Sequence, residues 1–405
     1  MQSIQTAQPT TIWNKTFISI FVANMFLNLS KQMMSTLITK YADLLGASAV
    51  MVGVVSSAFA VTALIFKLIA GPVNDTFNRK YILMGSALVM AISYFGYGIS
   101  SSVNHLIIFR LVQGAGQAFS ATVCLALASD SLPTKKFAAG ISYFSLGTVV
   151  CQTIGPTVGL ALAESIGYSQ TFYVGAGVMV MAAVMATRVH TTTSSARKKF
   201  RFSLNNVVAK EALLPAAMMM LMSASYSCVH AFLIIYAGDR GVDSASIGLY
   251  FTVYALVMLI ARPLVGKLSD RYGLGKTLIP ALCCYALAFV LISISNSLWM
   301  FLLSAVVSAF GYGTCQPSVQ TLCMKSVPRE RRGAASSTNY IGDDLGNLIG
   351  PVMAGTFVTQ FGYTAMWRLM IIPLGIVVIC LIVFRKHIAG IEKRFAAMDQ
   401  LSEEA

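Results

Sequence analysis

YADLLGASAVMVGVVSSAFAVTALIFKLIAGPVNDTFNRK, residues 41–80, returns 195 positions later as YAGDRGVDSASIGLYFTVYALVMLIARPLVGKLSDRYGLG, residues 236–275. Tyr41, Ala42, Gly46, Gly53, Gly71 and Asp75 recur as Tyr236, Ala237, Gly241, Gly248, Gly266 and Asp270. The same offset holds further on. Leu132, Pro133, Gly147, Gly155, Pro156, Gly167 and Tyr168 are matched, identically or by similar residues, by Val327, Pro328, Gly342, Gly350, Pro351, Gly362 and Tyr363. A repeat of half the chain length means two similar bundles facing one another, not a solenoid or propeller.

Composition decides the solvent of those bundles. With 56% hydrophobic and 11% charged residues, and a mean hydropathy of +0.72, the chain carries more apolar side chain than a soluble core of this length could cover. Twelve stretches reach the roughly 20 apolar residues that a spanning helix needs. They run over 16–38, 48–73, 80–100, 103–130, 136–163, 168–188, 210–236, 245–269, 276–296, 298–325, 332–359 and 364–386. Lipid leaves no partner for unpaired backbone groups, and barrel-type alternation is missing, so the expected class is an all-α membrane protein. The predicted organisation is a six-helix bundle over 1–190, a polar linker over 191–209, a second six-helix bundle over 210–388 and a tail over 389–405.

The net charge of +14 raises the question of nucleic acid, and its placement answers it. Of 29 Lys and Arg residues, 22 fall in the termini and in alternate loops that share one side. Lys40 and Arg240 lie on the other side, and Lys31, Lys67, Arg110, Arg262 and Arg368 fall inside apolar segments. This asymmetry places both termini in the cytoplasm of a multi-pass protein of the inner membrane. No basic-aromatic soluble face suggests nucleic acid. The eight cysteines lie in apolar stretches without metal-ligand spacing, so no metal or cofactor is expected. Nothing resembling a cleavage site follows the first apolar stretch, which reads as a retained helix and not a signal peptide.

Polar residues inside the spans mark candidate function, because each is costly there. Asp343 and Asp344 sit about ten residues into the eleventh span. Two adjacent carboxylates in a desolvated place make candidate proton carriers. A structural salt bridge to Arg262 or Arg110 is the competing reading. Arg110, six residues into the fourth span, must face protein or a wet cavity. Asn24, Asn28, Lys31, Gln32 and Ser35 form one polar stripe on the first. Lys67 and Arg262 are repeat mates, one turn before Gly71 and Gly266, which favours an architectural or gating role for both.

Several of these runs carry a resemblance. Gly71-Pro72-Val73-Asn74-Asp75-Thr76-Phe77-Asn78-Arg79-Lys80 and Gly266-Lys267-Leu268-Ser269-Asp270-Arg271-Tyr272-Gly273 resemble the loop signature of the major facilitator superfamily, with departures at Thr76 and Asn78. Phe109-Arg110-Leu111-Val112-Gln113-Gly114 is similar to its fourth-helix motif, and Gly155-Pro156-Thr157-Val158-Gly159 to a signature found mainly in its exporters. The chain looks like a twelve-helix drug:proton antiporter of that superfamily. The resemblance implies a secondary transporter without catalytic residues, working by alternating access. It links Arg110 and Asp344 to proton transfer, and with Asp343, an addition to the family pattern, these are the proton-coupling candidates. It also implies gating by Gly71, Asp75, Arg79, Gly266, Asp270, Arg271, Lys67, Arg262, Gly155 and Pro156, with each glycine allowing close helix approach and each carboxylate free to cap the next helix. The family's cavity-lining helices are the first, fourth, seventh and tenth. The substrate path would then be lined by Asn24, Asn28, Lys31, Gln32, Gln113, Gln117, Tyr226, His230, Tyr312 and Gln316.

The expected cargo is a small amphipathic or anionic molecule, since cations outnumber carboxylates in the interior. The partners are protons and the bilayer, and the carrier is a monomer. Proton-coupled uptake of an organic acid or other nutrient is the alternative direction. A membrane receptor or enzyme is a third class, and no His/Asp/Ser or ligand cluster supports it. No phosphate-cradling loop suggests an ATP-driven pump.

Overall fold

The computed structural model describes residues 11–133, 136–189, 208–328, 331–392 and 394. Most of the expected linker and of the expected tail therefore lies outside the described residues. Twelve α-helices follow in order: α1 Lys15–Leu44, α2 Ala49–Thr76, α3 Arg79–Ile99, α4 Val103–Asp130, α5 Phe137–Ile166, α6 Tyr168–Thr187, α7 Leu213–Asp239, α8 Ser244–Tyr272, α9 Leu274–Ile294, α10 Leu298–Lys325, α11 Arg332–Leu369 and α12 Ile372–Val383. Among the described residues, ten helical stretches are long and apolar enough to cross a membrane. The difference from twelve has two physical causes. The polar stripe lowers the hydropathy of α1, which at 30 residues is long enough to span. The stretch from Ala334 to Val383 is two spans joined at Gly362, whose φ of +78° turns the chain where an L side chain would be strained.

Local signals start the helices as expected of polar caps. Asn14, Ser48, Asn78, Ser102 and Asp243 each accept a hydrogen bond from a backbone N–H of the first turn that follows. The signature turns behave differently from the sequence reading. Gly71 and Gly266 lie inside α2 and α8, not in turns, and a side chain at Gly266 would meet open space, so it serves no close approach. Asn78 caps α3, while α9 is capped from afar by Glu392, whose Oε1 accepts from Leu274 N at 2.8 Å. The side chains of Asp75 and Asp270, and the surroundings of Gly71, lie outside the described residues.

Helices α1 to α6 pack on one another, as do α7 to α12, and the halves meet chiefly along α2 with α11 and α5 with α8. Small residues make the approaches possible. Gly155 lies against Gln32 and Leu29 of α1, and Gly159 against Met33, so the glycines of the Gly-Pro run pack on their own half while Thr157 between them meets α8. In the second half, Gly342, Gly346 and Gly350 lie on the α7 backbone at Ala216, Met220 and Ala224.

The start of α1, the α2–α3 and α8–α9 turns, the end of α6 and the start of α7 share one end of the molecule, here the terminal end. The other is the far end. Cross-half contacts between described residues run from mid-depth to the far end. A Cβ on Gly53 would fall 2.2 Å from Pro351 O, and one on Gly355 2.4 Å from Ala49 O. Thr157 Oγ1 donates to Gly248 O at 2.9 Å, Thr252 Oγ1 to Thr153 O at 2.9 Å, and Ala245 N to Glu164 Oε1 at 2.8 Å. Among the described residues α4 has no packed interface with α10 or α11. The halves are closed at the far end and part toward the terminal end.

Candidate functional site

The deepest cross-half contact is an ion pair. Lys67 of α2 donates to both carboxylate oxygens of Asp344 of α11, at 2.7 and 2.6 Å, near the middle of both helices. Its two side chains are 31% and 10% exposed, so it is shielded but not sealed. The partner of Asp344 is therefore neither Arg262 nor Arg110. Asp343, on the next residue, turns about 100° away and accepts from Ser223 Oγ of α7 at 2.5 Å, itself 3.3 Å from Tyr312 OH. The two carboxylates thus serve different surroundings: Asp344 holds the other half, and Asp343 holds α7 of its own.

Arg110 is consumed within its half. Nε donates to Val55 O and Nη1 to Gln113 Oε1, both at 2.8 Å; Nη2 donates to Ser56 O; and the guanidinium lies 4.6 Å from the Phe59 ring centre. This answers the cost of a buried cation with α2 carbonyls and a π face, with no carboxylate among its described hydrogen-bond partners. Gln113 completes the arrangement by accepting from Tyr97 OH at 2.6 Å and donating to Tyr94 OH at 3.2 Å. The structure thus places Gln113 in the first half's interior. Gln117, one turn on, keeps a buried Oε1 with no hydrogen-bond partner among the described residues.

The α1 stripe divides in the same way. Asn24 donates to Thr148 Oγ1 of α5 at 3.2 Å, and Asn28 donates back to Asn24 Oδ1 at 3.0 Å, so this end of the stripe binds α1 to α5. Gln32 packs beside Gly155. Lys31 alone looks inward. Lys67, Asp344, Asp343, Arg110 and His230 lie within electrostatic range of it, yet no described residue gives its ammonium a hydrogen bond or ion pair.

The second half contributes an aromatic wall. Tyr226 of α7 stacks on Tyr312 of α10 with centroids 4.0 Å apart and planes 10° from parallel. His230 meets Tyr226 edge-on at 5.1 Å and lies on Phe251 of α8 at 5.0 Å, and its Nδ1 has no hydrogen-bond partner. Tyr254 closes the group, 5.8 Å from Tyr226. Arg262 donates to Gly313 O at 3.0 Å and to Gln316 Oε1 at 3.4 Å, so it braces α8 on α10 within one half while its repeat mate Lys67 crosses between halves.

Among the remaining gate candidates, the described contacts of Arg79 and Arg271 are to residues of their own halves. Arg79 pairs with Asp130 at 2.5 Å and donates to Asn74 O at 3.2 Å, tying α3 to α4 and α2. Arg271 is exposed at the end of α8, over the Tyr272 ring. The sequence reading missed Ser223, Phe251, Tyr254 and Glu164. Only Glu164, an acid near a helix end, carried a visible signal.

Two pseudo-equivalent helical bundles closed at one end, with charge buried between them, define a secondary transporter. The chain belongs to the Major Facilitator Superfamily, whose family model matches residues 20–238 and again 213–400. It is similar to the multidrug resistance protein MdtG of Enterobacter lignolyticus, 27% identical over 323 residues and 76% of this chain and 77% of the relative. Against MdtG of Proteus mirabilis the figures are 28% over 329 residues, 76% and 80%. Among solved structures, the nucleoside transporter NupG superposes with a TM-score of 0.77 at 13% identity, covering 92% of this chain and 100% of its own. A bacterial homologue of the human lysosomal transporter Spinster, inward-facing and unoccupied, gives 0.74 at 16% identity, 96% and 98%.

Proposed function

We propose that this chain exports small amphipathic or anionic molecules across the cytoplasmic membrane in exchange for protons, with both termini in the cytoplasm and the monomer as the working unit. The MdtG relatives, named for multidrug resistance, support export as the direction. The excess of Lys and Arg at the terminal end supports the cytoplasmic side, so the present conformation is open inward.

The observation that carries the coupling is the Lys67–Asp344 pair, the one described ion pair that joins the halves. In the inward-open state it is a latch. A carrier that exchanges cargo for protons must not cross empty, and this latch holds the empty, deprotonated form in place. Either of two events removes it. A proton on Asp344 cancels the carboxylate charge, or an anionic cargo draws Lys67 away. Loaded forms can then rock about the far-end contacts, and the unloaded form cannot. Arg110 and Gln113 support this role by bracing α2 on α4, which sets where Lys67 stands.

The test is a proteoliposome assay with a fluorescent substrate and an internal pH dye. Substrate movement against its gradient should dissipate an imposed pH gradient. Asp344→Asn should fold but lose concentrative movement, and concentrative transport surviving in that variant would refute the assignment. Lys67→Asp combined with Asp344→Lys should recover more latch stability than either single change. The cationic interior also fits uptake of an anion together with a proton, and the sign of the proton movement separates the two directions.

A further inference from the structure

The latch leaves one cation unexplained. Lys31 is partly buried near the middle of α1, and no described group accepts from its ammonium. Around it the charges do not cancel. Lys31, Lys67 and Arg110 stand against Asp343 and Asp344, and Arg262 adds a further positive charge behind Tyr226 and Tyr312. A net positive charge within a membrane span is costly, and a bound anion is what lowers that cost. Asp344 is already held by Lys67, and Asp343 is held by Ser223. The Lys31 ammonium is therefore left open to an anion from outside the chain.

The same position has a flat neighbour. The Tyr226–Tyr312 stack and the His230 ring stand on α7 and α10, Tyr226 and His230 are only partly buried, and no hydrogen bond fixes His230 Nδ1. His230 is also within electrostatic range of Lys31, and α1 packs on α7, so cation and aromatic wall are neighbours. Two parallel phenol rings offer a surface on which another ring stacks or packs edge-on, with geometry that aliphatic cargo cannot use.

We propose that Lys31 and the Tyr226–His230–Tyr312 wall form a binding site for aromatic carboxylates, with the carboxylate on the Lys31 ammonium and the ring against the tyrosine stack. This rests on the transporter reading above and assigns its cargo class. It also explains why the aromatic wall lies beside Asp343 and opposite a free cation: together they select charge sign and ring in one place.

The full-length protein in nanodiscs tests this with three probes: 2-naphthoate, naphthalen-2-ylmethylammonium and cyclohexanecarboxylate. The wild type, needing no variant, should bind 2-naphthoate at least about tenfold more tightly than either of the others. Lys31→Met should weaken 2-naphthoate by about tenfold or more and leave the ammonium probe within about twofold, while Lys31→Arg should retain 2-naphthoate to within about threefold. Tyr226→Leu should weaken 2-naphthoate and leave cyclohexanecarboxylate unchanged. Tighter binding of the ammonium probe by the wild type, or a folded Lys31→Met with 2-naphthoate affinity intact, overturns the proposal. Failure here is distinct from failure of the coupling. If a dye exchanges for protons while 2-naphthoate does not bind, the cargo class falls and the antiport stands. Lys31-dependent binding of 2-naphthoate without proton movement has the opposite meaning.

Discussion

At the scale of single residues, the structure sorts the intramembrane charges into those that hold one half together and those that link the two. Arg110 belongs to the first kind. Three of its donors reach Val55 O, Ser56 O and Gln113 Oε1. A lysine cannot reproduce that fork, so Arg110→Lys should lower the stability of the folded protein by about 2 kcal/mol, read as an earlier thermal transition in detergent. Lys67 and Asp344 belong to the second kind. Lys67→Met leaves a carboxylate at 10% exposure without its cation, and its effect should fall on the balance of inward and outward forms more than on folding. Spin labels across the terminal end would report the shift. In the sequence, the cost of each charge was legible and the identity of its partner was not. Asp344 could have met Arg110, Arg262 or Lys67, and all three are equally apolar in context.

At the scale of elements, glycines with similar spacing serve different purposes. Gly350 in α11 lies against the Ala224 carbonyl, so a Cβ there would fall 2.1 Å from that oxygen and push α11 from α7. Gly350→Ala should cost about 1 to 3 kcal/mol of stability by thermal unfolding. Gly53 meets Pro351 of the opposite half instead, and the same substitution there should open the far end, raising labelling of single cysteines introduced there, with a smaller loss of stability. The α7–α8 loop offers a pH test. Hydrogen bonds from Ser246 and from the Ala245 and Ser246 N–H groups hold the Asp243 carboxyl below the usual carboxylate range. Because the folded value is depressed, the stabilisation is present above the unfolded value and is lost as pH falls through the folded one. Asp243→Ala should therefore cost about 1 kcal/mol at neutral pH, and the difference from wild type should vanish in strong acid, as followed by thermal transitions. Helix spans and polar caps were legible because both are local patterns. The break at Gly362 and the capping of α9 by Glu392 were not, since the first concerns backbone handedness and the second joins residues 118 positions apart.

At the scale of the molecule, far-end closure is made of small residues and hydroxyls, Gly53, Gly355, Thr153, Thr157, Gly248 and Thr252, with the exposed Glu164 carboxylate at its edge, and these can separate without leaving buried charge behind. A cysteine pair at Thr157 and Gly248, introduced on a cysteine-free background, should cross-link on oxidation, stop transport, and recover on reduction; undiminished transport by the cross-linked protein would show that the far end need not open. The sequence alone determined the membrane as solvent, the duplication, the twelve spans and the superfamily, because composition, periodicity and repeat offset are carried by the chain itself. It also flagged Lys31, Lys67, Arg110, Asp343 and Asp344, because a charge in an apolar run is visible without any partner. Only the tertiary structure decided that Lys67 meets Asp344 across 277 positions, that Arg110 and Gln113 turn into their own half, that Lys31 is left without a described hydrogen-bond partner, and which end is shut. Those outcomes depend on the rotation of each helix about its axis and on how one bundle sits against the other. Residues that are uniformly apolar on several faces leave that rotation undetermined until the helices pack.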